Sequence, residues 1–371
     1  MPQPIASRLC LTAALALSTA QIADACTYIR LTAVDGAQHP GRTMEWGTFD
    51  IVPGFTIVPR GKAHRAMTMP DGAEGATWTG SYGYAGISLL EREDLFGDII
   101  NEEGLVLNLL YFPGFAAYQP YDPDLASQSI SPTDFMTFMA SQFATVAEVA
   151  EAAHDIRVVP VEEPALGFPA PIHVVVSDPS GAEIVVEYID GELHIFEDTI
   201  GIMTNAPAYD WHLTNLRNHL NLRPVDWPDI DVAGLDVSGI GYGTGLLGLP
   251  GDYTPPSRFV RAAAFKETAR ETQGGYDSTL EHFRILDSFQ LPLETDFEDL
   301  PEGLQPLQYG STQYTVSFDP ANLVVYYHTD DERRVRMVDL KKTDWDTLSE
   351  TRTTPLRRGG PPRIEEVVVG N

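Results

Sequence analysis

The sequence predicts an α+β protein in which strands form the body and helices cover it. Three observations predict this. Period-two apolar alternation recurs through most of the chain, helical spacing appears in three separate stretches, and the order runs strands, helices, strands, helices, strands. That order suits two sheets packed together with helices outside, and a two-layer α+β fold satisfies the same periodicity.

Residues 1–25 have the three parts of a secretory signal. Pro2 to Arg8 is polar with one positive charge, Leu9 to Ala20 is apolar, and Ala23-Asp24-Ala25 is a small-x-small cleavage site. The apolar part is shorter than the roughly 20 residues a bilayer span needs. The expected product starts at Cys26 and is periplasmic or secreted, with no membrane insertion. Loss of Arg8 and Asp24 leaves the net charge of −29 unchanged. So acidic a body argues against nucleic acid and anionic membrane as partners. No linker-like break interrupts residues 26–350, which read as one domain.

From Cys26 to Leu31 the residues are alternating β-formers. Asp35-Gly36 and Pro40-Gly41 supply turn chemistry before Arg42 to Trp46, so a hairpin returns Arg42 and Glu45 toward Cys26. Phe55 to Arg60 is another strand, and Trp78 to Leu90 is two more around a glycine turn. After the Asn101 to Gly104 turn, Leu105 to Phe112 is apolar enough for a strand buried on both faces. Phe135, Phe138, Met139, Phe143, Val146 and Val149 then recur at spacings of three and four behind Pro132, which predicts a core-facing helix layer.

Ile172 to Glu197 reads as a three-stranded meander with Asp-Pro-Ser-Gly and Asp-Gly turns, and Ile202 to Ala206 as a short strand ending near Asn205. Pro256 to Thr268 and Asp277 to Phe289 are helices, and Tyr314 to Asp319 with Leu323 to Thr329 is a late hairpin. The Pro/Gly/Arg-rich residues 351–371 read as a loosely ordered tail.

Cys10 and Cys26 are the two cysteines, and Cys10 leaves with the signal. A lone thiol in an exported chain has two readings. It carries a lipid anchor on a non-catalytic binding module, or it is a nucleophile. The usual anchor signal has Leu three residues before the cysteine, where this chain has Ala23. As an N-terminal residue Cys26 carries a thiol and an amine, hence a nucleophile and a base together. Arg42 is the candidate positive neighbour favouring thiolate, and Asn205 the candidate donor to an oxyanion. The nine His lack metal-ligand spacing, Gly239 to Gly251 matches no phosphate-loop pattern, and no Gly-x-Ser-x-Gly elbow is present. No metal or cofactor is implied.

Five motifs carry a resemblance over nearly the whole mature chain. They are Cys26-Thr27, Gly41-Arg42-Thr43-Met44-Glu45-Trp46, Asn101-Glu102-Glu103-Gly104-Leu105, Met203-Thr204-Asn205-Ala206-Pro207, and Leu249-Pro250-Gly251-Asp252 followed by Ser257-Arg258-Phe259-Val260-Arg261. In these the sequence resembles the choloylglycine hydrolase family of N-terminal nucleophile hydrolases, which contains penicillin V acylases and conjugated bile salt hydrolases. The resemblance implies a four-layer αββα sandwich and a homotetramer. It implies Cys26 as nucleophile and base, Arg42 beside the thiol, Asn205 in the oxyanion hole, and Arg258 in the polar network with Arg261 as its competitor.

Glu45 stands where the family more often has Asp against the α-amine. Tyr111 stands where bile salt hydrolases commonly have Asn, and so tilts the reading toward the acylase branch, with its backbone N–H as oxyanion donor. Trp46, Tyr82 and Phe112, with Phe55 and Phe115, are the expected acyl pocket. The expected substrate is a small acyl amide such as penicillin V or an acyl homoserine lactone, with bile salts as the alternative.

Overall fold

The computed structural model describes residues 26–47, 49–291 and 311–360. The expected signal and residues 361–371 lie outside them. The strands of two main sheets are, in chain order, β1 (Thr27–Thr32), β2 (Gln38–Trp46), β3 (Gly54–Val58), β4 (Tyr84–Ser88), β5 (Phe96–Asn101), β6 (Val106–Tyr111) and β7 (Ile172–Ser177). They continue with β8 (Glu183–Ile189), β9 (Glu192–Phe196), β10 (Ile202–Met203), β11 (Ser311–Asp319), β12 (Val324–Thr329), β13 (Arg336–Asp339) and β14 (Arg352–Pro355). Five α-helices accompany them among the described residues: α1 (Asp134–Gln142), α2 (Val146–Ala152), α3 (Tyr209–Leu216), α4 (Pro255–Thr268) and α5 (Gly275–Leu286).

One sheet has the order β10-β1-β2-β11-β12-β13, and the other β9-β8-β7-β6-β5-β4-β3-β14. Every pairing within them is antiparallel. Helices α1 and α2 pack on the larger sheet, and α4 and α5 on the smaller. The result is the αββα sandwich of the N-terminal nucleophile hydrolases, with the smaller sheet facing the larger across a shared core.

Alternation explains why the larger sheet reads as almost unbroken apolar sequence. Val175, Val185, Ile100 and Val106 point into the core between the sheets, while Val174, Val176, Ile184 and Leu107 point to the core beneath α1 and α2. Successive residues of a strand face opposite ways, so a strand covered on both sides needs apolar residues at every position.

Four expectations change. The helical stretch around 135–149 is two helices, because Phe143 is extended and Thr145 restarts the helix with a capping box to Glu148. Asn101 Nδ2 satisfies the freed carbonyls of Ala140 and Phe143 at 3.0 and 2.7 Å. Pro40 and Gly41, read as turn residues, lie inside β2 opposite Arg30 and Ile29. A side chain at position 41 would strike the Val316 carbonyl and the His282 ring, so the close approach of β11 and α5 requires glycine there.

Part of the expected loose tail is ordered as well. Arg352–Pro355 closes the edge of the larger sheet beside β3, Leu356 is buried, and Arg357 pairs with Asp50 and Asp330 at 2.6 and 2.7 Å. Composition does not reveal such long-range partners. Helix α3 was not foreseen either; only a weak apolar pattern marks it.

Candidate active site

Cys26 immediately precedes β1, and the β1–β2 register sets Tyr28 opposite Arg42. Two residues before Tyr28, Cys26 shares its face, which puts the thiol and Arg42 at diagonal positions on the sheet. Arg42 Nη1 donates to Cys26 Sγ at 3.3 Å. Both residues are buried, and a buried guanidinium needs compensation.

The larger sheet supplies it. Asp98 of β5 accepts from Arg42 Nε at 2.8 Å, from Asn108 Nδ2 at 2.7 Å, and from Tyr314 OH at 2.6 Å. Arg42 Nη2 reaches Gly97 O at 3.2 Å and Tyr314 OH at 3.3 Å. Burial works against the Arg42 charge, and Asp98 more than offsets it, holding the guanidinium above its usual range. Gly97 makes room for this, since a Cβ there would sit 2.6 Å from Tyr314 OH and 3.0 Å from Arg42 Nη2.

Arg258 approaches from the other side. Helix α4 opens with two prolines, which suit a first turn, and so places Arg258 in that turn beside β1. Its Nη1 donates to the Cys26 carbonyl and, at 2.9 Å, to Thr27 Oγ1, while Nη2 donates to Asn205 Oδ1 at 2.6 Å. Arg261 instead holds Pro250 O and Asp252 O at 3.1 and 2.9 Å. Of the two candidate arginines, Arg258 is the one that touches Cys26.

Asn205 joins three segments. Its Oδ1 accepts from the Cys26 nitrogen at 2.9 Å, and its Nδ2 donates to Tyr111 O at 2.7 Å. Two buried histidines fix the backbone on which it rides. His173 Nε2 reaches Thr204 O at 3.1 Å and His212 Nε2 reaches Asn205 O at 2.9 Å, and each ring stacks on a phenylalanine, Phe112 at 4.5 Å and Phe259 at 4.6 Å between centroids. Burial pushes His212 down to about 4, so near neutral pH it is an uncharged donor.

Glu45 lies three positions along β2 from Arg42, and an odd spacing turns it to the opposite, helix-covered face with Arg258. It accepts from Thr312 Oγ1 at 2.8 Å. The Cys26 nitrogen, against which the resemblance implies a carboxylate, donates to Asn205 Oδ1. Burial raises Glu45 to about 7, against the lowering effects of Thr43, Arg258 and Thr312.

An apolar pocket starts at Cys26, lined by Met44 and Trp46 of β2, Leu109 and Tyr111 of β6, and residues of the loops near 51, 90 and 166. Trp46 and Tyr111 meet edge to face at 5.3 Å. Tyr82 and Phe112, expected here, do not line it. Because Tyr111 points into the pocket, Phe112, just past the end of β6, points away onto His173. Tyr82 lies in the turn before β4, its N–H on Ser141 O at the end of α1. Phe55 stacks on Tyr327 within the core, and Phe115 is exposed.

Asp98, Asn108 and Tyr314 were missed. A signal exists for the first two: each is a lone polar residue inside an otherwise apolar strand, in Phe96-Gly97-Asp98-Ile99-Ile100 and Val106-Leu107-Asn108-Leu109-Leu110.

Residues 26–353 match the family model described as linear amide C-N hydrolases, choloylglycine hydrolase family. The chain belongs to the choloylglycine hydrolase family. It is therefore an amidase by class. It is 28% identical over 325 residues to the bile salt hydrolase/transferase of Clostridium perfringens, covering 86% of this chain and 94% of that one. It is 24% identical over 362 residues to the penicillin V acylase of Pectobacterium atrosepticum, covering 92% and 88%. A crystal structure of a variant conjugated bile acid hydrolase from Clostridium perfringens superposes with a TM-score of 0.76 at 26% identity, covering 92% of this chain and all 100% of that one. Among the described residues of this choloylglycine hydrolase family member, no helix is long and apolar enough to cross a membrane.

Proposed function

We propose that removal of residues 1–25 in an exported protein frees Cys26 to act as an N-terminal nucleophile on acyl amides with an apolar acyl group. The observation that carries this is the Arg42 Nη1 to Cys26 Sγ contact of 3.3 Å at the start of an apolar pocket. A guanidinium there favours thiolate. The new amine takes the thiol proton, the sulfur attacks the carbonyl carbon, and the C–N bond breaks as that proton passes to the leaving amine. Water then attacks the thioester, releasing the acid and restoring the thiol. Asn205, with Arg258 on its Oδ1, orients the amine; Asn205 Nδ2 and the Tyr111 N–H are the proposed oxyanion donors.

Phenoxyacetyl and fatty-acyl amides, as in penicillin V and acyl homoserine lactones, suit the apolar lining. Conjugated bile salts are the second reading, favoured by the identity to bile salt hydrolases. A panel of penicillin V, acyl homoserine lactones of several lengths and glycocholate separates them. Cys26→Ala should abolish turnover of whichever substrate is cleaved while leaving the unfolding midpoint in place; retained turnover removes the mechanism. Intact mass tests the start of the chain, since a diacylglyceryl adduct on Cys26 would replace nucleophile with anchor.

We propose self-association through the stretch around 220–247, where Leu220, Trp227, Ile230, Leu235, Ile240 and Tyr242 are exposed. So much apolar surface is a liability unless a second copy covers it. Leu235→Asp with Ile240→Asp should lower the mass found by light scattering, and an unchanged mass sinks this interface.

A further inference from the structure

Of the six non-glycine residues with positive φ among those described, three lie on two touching loops at the pocket: Val52 at +41°, Leu90 at +58° and Glu91 at +57°. Arg92 N donates to Leu89 O at 3.0 Å, closing a turn whose two central positions are Leu90 and Glu91. Two successive positive φ angles define a turn normally filled by Asn, Asp or Gly. A β-branched residue such as Val52 is rarer still in this region. Leu90 N donates to Ile51 O at 2.6 Å, so each loop braces the other. Ile51, Leu89 and Leu90 all line the pocket that starts at Cys26. Backbone strain of this kind persists where the surroundings over-determine it, and it gathers at ligand clamps.

We infer that Leu90 is a specificity-determining residue: its left-handed turn presents the side chain as a wall of the pocket, and this wall sets the length of straight acyl chain that fits. The inference rests on reading the pocket as the acyl site. Glycine at 90 relaxes the turn and removes the wall together. Alanine keeps the Cβ of an L residue and removes the branch beyond it, which keeps the question answerable if glycine loosens the loop.

The test is binding of straight-chain carboxylates from hexanoate to tetradecanoate to the Cys26→Ala chain, by calorimetry. Affinity should rise about fourfold per buried methylene and then level off at one length. In Leu90→Gly and Leu90→Ala, which both remove the branch beyond Cβ, the levelling point should move outward by about two methylenes. An unmoved levelling point in both variants, or no carboxylate binding at all, overturns the inference. Because the readout is binding, an outward shift without any amide turnover by the unaltered chain leaves the wall standing and removes the catalytic reading of Cys26.

Discussion

Two fully buried arginines touch Cys26 from opposite faces of one sheet, and they solve burial differently. Arg42, on the thiol side, is ion-paired to Asp98, and its charge is held above the ordinary range despite burial. Arg258, on the helix side, is held by neutral acceptors, the Cys26 and Tyr253 carbonyls and the Asn205 amide. Burial lowers it to about 10, opposed first by Glu45. The thiol side therefore carries a charge that does not change with pH, whereas the helix side carries one shared with a carboxyl that titrates near neutrality.

The largest test removes Asp98. Asp98→Ala strands the Arg42 charge and should cost about 3–5 kcal/mol in urea unfolding. Arg258→Met strands no carboxylate in direct contact and leaves only dipoles to satisfy, which predicts about 1–2 kcal/mol. Equal losses would erase the distinction between the two faces.

A smaller effect sharpens the helix side. Glu45 has a folded value of about 7 against an ordinary 4.5. Between those two values the native state holds a proton that the unfolded chain releases, so stability falls as pH rises through that window, by roughly 3 kcal/mol at most. Glu45→Gln should flatten that fall in unfolding midpoints taken from pH 5 to 8. A slope that survives in the variant belongs to another group. Smallest is Thr312→Val, which deletes the hydroxyl donated to Glu45 and should cost about 1 kcal/mol, more at pH 8 than at pH 5 because the ionised carboxylate loses more. The same cost at both pH values would mean that Thr312 does not favour the ionised form.

Much of this was legible in the sequence. Strands were readable from period two, and Cys26, Arg42, Asn205 and Arg258 from short motifs in a fixed order. What escaped depends on partners distant in the chain. Asp98 and Tyr314 meet Arg42 across 56 and 272 residues, and no local pattern encodes that. The orientation of Phe112 was within reach, because choosing Tyr111 for the pocket already turns its neighbour away. For Glu45 the motif fixed the position along β2, and strand alternation gives the face it shares with Arg258.

The pairing of β2 with β11 sets Glu45 opposite Thr312 and Arg42 opposite Val316. Most of the chain must therefore be made before β2 gains its second neighbour in the smaller sheet, and contacts of such separation form slowly. A growing or partly folded chain carries Cys26 without the Tyr314 hydroxyl beside Arg42. The charged surroundings of the Cys26 thiol are therefore complete only when the fold is nearly finished, which makes them among the last features of the molecule to form.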